Sequence, residues 1–206
     1  MANRYPTVLL FGAPGVGKGT QGNILGSIPG LFHLSCGDMF RMLDVDSELG
    51  RTFYEYSSRG ELVPDDITVQ FWQQNIHART VLGLYKPKTD LLILDGIPRN
   101  LNQAQRTEKH IQVLKVIHLV CRDENAMIQR IRQRALKENR IDDAKEDIIR
   151  RRWDIYRTDT QPVLEHYSER LVAKVNAVAS HVEVLSDILQ IIIPVVNQHF
   201  SSSEQN

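Results

Sequence analysis

Residues 7–20 read Thr-Val-Leu-Leu-Phe-Gly-Ala-Pro-Gly-Val-Gly-Lys-Gly-Thr. The apolar run Thr7–Phe11 predicts a buried strand, and the glycines that follow predict a tight turn into a helix opening near Lys18. Glycines let successive backbone N–H groups point into one concavity, and a helix N-terminus adds a positive end. A lysine at the close of such a turn supplies a point charge to the outer phosphates of a nucleoside triphosphate. Gly12-x4-Gly17-Lys18 between strand and helix is therefore read as a polyphosphate cradle.

The rest of the chain fits one α/β domain. Short apolar runs near Val8–Phe11, Phe32–Leu34, Leu91–Leu94, Val116–Val120 and Leu171–Val175 predict five parallel strands. Helical patterns fill Lys18–Leu25, Glu48–Ser58, Asp66–Ala78, Leu101–His110, Glu124–Leu136, Asp143–Tyr167 and Val182–Ile193. The fold class is α/β, a three-layer phosphate-loop fold with helices on both faces of the sheet. Ser35–Val63 is too long and too helical for a plain connection, and Ala135–Asp142 is a charged bridge; such segments gate phosphate sites.

The 206 residues carry 25 Lys+Arg against 25 Asp+Glu, so no global charge argues for a nucleic-acid or membrane partner. Cys36 and Cys121 have no ligand-like spacing and suggest a reducing compartment. Residues 1–6 lead straight into the first strand, and the late apolar stretch Ile188–Val196 is too short to span a bilayer. A cytoplasmic, monomeric protein acting on small molecules is the expectation.

Two further signals bear on chemistry. Leu91-Leu92-Ile93-Leu94-Asp95 puts an acid at the end of a central strand, where a carboxylate meets magnesium beside a phosphate loop. Asp38 is a second metal candidate, with a helix-cap role as the alternative. Arg41, Arg99, Arg130, Arg134, Arg140 and Arg151 form a set of guanidinium forks suited to phosphate oxygens. Arg132, Arg150, Arg152 and Arg157 read as solvated surface. The same helices carry Asp142, Asp143, Glu146, Asp147 and Asp154, which argues against an RNA-binding stripe. Trp72, Trp153 and His33 read as packing residues.

The motifs Gly12–Gln21, His33–Arg41, Gly60–Asp65, Asp95-Gly96-Ile97-Pro98-Arg99, Arg130–Arg134 and Arg140–Asp143 resemble, in order, those of the adenylate kinases among the nucleoside monophosphate kinases. Gly-Lys-Gly-Thr is distinctive of that family. The resemblance implies that Gly15, Val16, Gly17, Lys18, Gly19 and Thr20 cradle ATP phosphates and that Arg130 lies on the ATP adenine. It implies that Arg41 and Arg99 hold the acceptor monophosphate, while Arg134, Arg140 and Arg151 close over the reacting groups. Cys36, Glu61, Leu62, Val63, Gly96, Ile97, Pro98 and Gln103 would border the acceptor nucleotide, Gln103 by reading its base.

By the same resemblance, residues 35–63 form a monophosphate-binding flap and 133–143 a short lid without structural zinc, on a core of 1–34, 64–132 and 144–206. Cys36 stands where AMP-specific members carry Thr and the pyrimidine branch Ala. Ile97 replaces the usual Phe, and Asn100 is similar to the pyrimidine branch; Gln103 favours AMP over UMP or CMP. The implied reaction is magnesium-dependent transfer from ATP to AMP giving two ADP. A silent nucleotide-binding protein is the alternative from another class.

Overall fold

A computed structural model describes residues 4–138 and 145–200. Five parallel strands lie in the order β2-β3-β1-β4-β5, with β1 Tyr5–Gly12, β2 Leu31–Ser35, β3 Leu91–Asp95, β4 Ile111–Val120 and β5 Val172–Asn176. β1 pairs with β3 from Thr7↔Leu92 to Leu10↔Asp95, and Ser35 of β2 meets the same aspartate from the other side. The acid thus sits at the carboxyl edge of three adjacent strands.

Alternation along the central strands builds two cores. Val8, Leu10, Leu91 and Ile93 face one way, against Leu25 of α1 (Lys18–Leu25), Met127 and Ile131 of α6 (Glu124–Glu138) and Ile188 of α8 (His181–Phe200). Leu9, Phe11, Leu92 and Leu94 face the other way, against α4 (Asp65–Val81) and Ala104 of α5 (Leu101–Thr107). Burial on both faces explains why these strands are continuous apolar runs. The chain leaves β1 through α1 on one face and β3 through α5 on the opposite face, which opens a crevice above the carboxyl ends of the two strands.

Several elements differ from their expected extents for local reasons. α2 (Cys36–Arg41) and α3 (Glu48–Ser57) occupy the segment read as helical; Ser35 caps α2 by accepting from Asp38 N, and Ser47 caps α3 by accepting from Gly50 N. The helix expected over Asp143–Tyr167 splits into α7 (Glu146–Ile155), a π-turn over Tyr156–Thr160 and a 3-10 segment over Gln161–His166. Pro162 has no N–H for an α-helical bond, and Thr158 Oγ1 bonds back to the carbonyls of Asp154 and Ile155.

α5 ends early at Thr107, whose hydroxyl donates to the Gln103 and Ala104 carbonyls, and β4 starts at Ile111 through a bulge that masks its alternation. α8 runs beyond the expected Ile193, through Pro194, because Val184, Ile188 and Ile192 hold one stripe on the core. Ser180 and Glu183 form a capping box at its start. Residues 139–144, including Arg140 and the second half of the lid expected over 133–143, lie outside the described residues. Among the described residues, no helix is long and apolar enough to cross a membrane.

Trp72 is fully buried at the centre of the second core, as Trp153 is near the edge of the first. Trp72→Ala is expected to cost about 3–5 kcal/mol of stability in urea unfolding, as large-to-small changes in such cores do.

Candidate active site

The turn between β1 and α1 has its own reasons for glycine. Gly15 has φ +82°, and a Cβ there would lie 2.8 Å from the Met127 carbonyl. Gly17 is the N-cap of α1 at φ 102°, a left-handed conformation, and offers no side-chain cap to the first N–H groups. Those donors are left facing the crevice, the arrangement that receives an anion. Lys18 folds back over the turn, its Nζ donating to Gly12 O at 2.6 Å and Ala13 O at 3.1 Å. Burial lowers its pKa to about 8, against an opposing pull from Asp95; Arg99 and Arg134 push the same way as burial.

One cleft gathers Gly15, Gly17, Lys18 and Gly19 with Cys36, Asp38, Arg41, Glu61, Leu62, Val63, Asp95, Gly96, Pro98, Arg99, Gln103 and Arg134. Val16 and Ile97 are buried in the cores beneath it. Asp95 is 6% exposed, and its Oδ1 has no hydrogen-bond partner among the described residues. Asp38 instead bonds Arg41 Nη1 at 3.1 Å, so its carboxylate is engaged by a guanidinium of the same site. Burial pushes the Cys36 thiol up to about 12 and lowers the pKa of Arg99. Arg99 is fixed by Nε to Gly96 O at 2.9 Å.

Four residues lie elsewhere than their expected roles would put them. Thr20 is exposed on α1 and does not line the cleft. Arg130 is also outside it, donating to Ala177 O at 3.3 Å, because its position on α6 turns it toward the segment after β5. Arg151 is outside the lining too, and it bonds Glu61 Oε1, of a residue that lines the cleft, at 2.6 Å. Its neighbour Arg152, read as surface, lines the cleft and donates to Ser57 O at 3.3 Å. Helical geometry carried that signal: Ile148, Arg152 and Tyr156 are successive i+4 neighbours, and both flanking residues are buried. Arg132, Arg150 and Arg157 do lie on the solvent side, paired with Glu146, Glu124 and Asp154.

Gln103 lies at the cleft but its amide is largely spent on structure. Its Oε1 accepts from Arg99 N at 2.8 Å and its Nε2 donates to Asp65 Oδ1 at 2.7 Å. Asp65 also accepts from Asn100 and Asn102; these bonds hold its carboxyl below the usual carboxylate range although burial opposes them. Phe40, Phe53, Ser57, Thr68, Tyr156 and Thr160 also line the cleft, none of them named as a site residue from the sequence. Phe40 and Phe53 stack at 5.2 Å, and Thr160 Oγ1 donates to Arg99 O at 2.7 Å. His33 packs under α1, with Nδ1 3.1 Å from Asn23 Oδ1.

The glycine turn closed by Lys18 and the short helix carrying Arg41 line one cleft together with Arg99, Arg134 and Arg152. The adenylate kinase family model matches residues 10–172. An adenylate kinase of Thermobifida fusca is 40% identical over 184 residues, covering 86% of this chain and 93% of the relative. Those of a Cyanothece species and of Flavobacterium psychrophilum are 34% and 32% identical over 90% of this chain, with 94% and 97% of the relatives covered. The chain belongs to the adenylate kinase family of phosphotransferases.

Proposed function

We propose that this protein transfers the γ-phosphoryl group of ATP reversibly to AMP, giving two ADP, with the two nucleotides entering one cleft from opposite sides. The observation that carries this reading is the placement of Lys18, Arg41, Arg99, Arg134 and Arg152 around the single crevice above β1 and β3. The turn Gly15–Gly19 would take the donor's phosphates, and Arg41 with Arg99 the acceptor's. Arg134 and Arg152 lie between and would neutralise charge on the group in transit. An AMP phosphate oxygen is already anionic near neutral pH, so no side chain has to remove a proton from it. Catalysis then consists of in-line positioning and charge stabilisation.

Magnesium fits the donor set. Asp95 offers a buried, unpartnered carboxylate oxygen, and among the described residues no three His, Cys, Asp or Glu side chains converge. Asp95 would therefore hold the ion, through water, with phosphate oxygens completing its shell, as suits a hard cation that keeps several waters. The bound ion would supply charge neutralisation between the phosphates. Asp38 is left to orient Arg41.

Residues 35–63 act as the flap, and the segment around 133–143 as the lid, shielding the transfer from hydrolysis by water. One chain supplies both halves of the cleft, which supports action as a monomer, and the free thiols of Cys36 and Cys121 support a reducing, cytoplasmic setting. Cys36 and Leu62–Val63 form the apolar border of the acceptor side, with Gln103 holding the Arg99 turn.

Three outcomes test this. In a coupled assay with AMP, UMP and CMP as acceptors, AMP is expected to give the highest kcat/KM; a clear preference for UMP or CMP would reject the acceptor assignment. Lys18→Ala and Arg152→Ala are each expected to lower kcat by about 100-fold or more, the scale on which a transition-state charge contact acts, while Arg150→Ala stays close to wild type. Equal effects of Arg150→Ala and Arg152→Ala would remove Arg152 from the site.

The third outcome is a titration. In the folded protein Lys18 releases its proton near pH 8, and in the unfolded chain near 10.5. Below pH 8 the cost of the buried ammonium is fully present; between 8 and 10.5 the unfolded chain alone holds that proton, so stability rises with pH through this window. NMR of the Lys18 side chain is expected to give a midpoint near 8 in the free protein, displaced upward by inorganic tripolyphosphate.

A further inference from the structure

Arg151 does not line the cleft, yet its bond to Glu61 at 2.6 Å ties together α7 and the flap, ninety residues apart in sequence. Glu61 is held from its other oxygen by Arg59 Nε at 3.1 Å, and its N–H donates to Tyr56 O at 3.0 Å. Its main chain begins the wall Glu61–Val63 on the acceptor side of the cleft. Beside it, Gly60 lies so close to α7 that a Cβ would stand 3.0 Å from the Ile148 carbonyl. Arg152 reaches the Ser57 carbonyl from the same helix. Residues 57–61 are thus seated flush on α7, and the ion pair is the charged fastening of that seat.

We propose that Arg151 and Glu61 are a positioning pair: their ion pair fixes the acceptor wall, residues 61–63, against the helix that carries Arg152. This rests on the reading of that wall and of Arg152 as the acceptor half of the site. The pair works through main-chain placement rather than on the reacting groups. Both side chains reach solvent, Arg151 more than Glu61. A pair of this kind contributes modestly, and salt screens it. Its signature is therefore selectivity between the two nucleotides. Loosening the seat widens the acceptor side, whereas the phosphate turn, anchored by Lys18 to Gly12 and Ala13, is untouched.

Steady-state kinetics with AMP and ATP varied separately, on wild type, Glu61→Gln, Arg151→Gln and the double variant, test the pair. Each single change is expected to raise KM for AMP about three- to fivefold, the range open to an exposed ion pair, with KM for ATP unmoved. The double variant is expected to match Glu61→Gln, which already removes the Arg151 contact along with that of Arg59. Arg151→Lys is expected to restore most of the loss. Added salt should raise KM for AMP in wild type more than in the variants. Hydrogen exchange of the free protein is read in parallel, with faster exchange expected across residues 48–61 in both single variants.

Unchanged KM for AMP, equal shifts in both KM values, additive single effects or unaltered exchange would each overturn the proposal. If wild type prefers another monophosphate, the acceptor reading fails. KM for that monophosphate then replaces KM for AMP, and the exchange result judges the pair independently.

Discussion

The cleft depends on an ammonium group held where water is scarce. Lys18 is pinned by two carbonyls of its own turn, with Asp95 the nearest source of opposite charge and Arg99 and Arg134 adding to the positive field. Burial alone disfavours its charged form, and the neighbouring guanidinium groups disfavour it further. The free protein thus gathers several cations around one buried carboxylate. Under the proposed function, phosphate oxygens would meet a positive field already in place before they bind.

That cluster exists because of sheet order. β1 and β3 are neighbours although residues 13–90 separate them in the chain, and their registered ends bring Leu10 and Asp95 level. Helices leaving on opposite faces keep the space above the strands clear. The segment proposed as the flap holds two short helices, each closed at its start by a serine.

How much of this could be read in the chain follows the range of each interaction. The phosphate turn, the acidic strand end and the Cys36–Arg41 segment are written in contiguous residues, and they lie where expected. Gln103 was legible as a cleft residue but not as a structural one, because its partner Asp65 is 38 positions away on another helix. α8 outran its apparent stop because core packing outweighs one proline, and α7 fell short because Pro162 and Thr158 act together. Arg151 and Arg152 were exchanged because adjacent residues of like type differ only in angle. The buried i+4 neighbours Ile148 and Tyr156 held that information.

Three consecutive arginines therefore do three different things on one turn of α7. Arg150 meets Glu146 on the solvent side, Arg151 meets the flap and Arg152 enters the cleft. About 100° of rotation per residue sorts them, while Ile149 and Trp153, locked in the core, set the zero of that rotation. Substitution at any one of the three leaves the other two in place. Inserting or deleting a single residue between the core anchors would hand each arginine its neighbour's task. In this stretch the spacing of the helix is under tighter constraint than the chemistry of any one side chain.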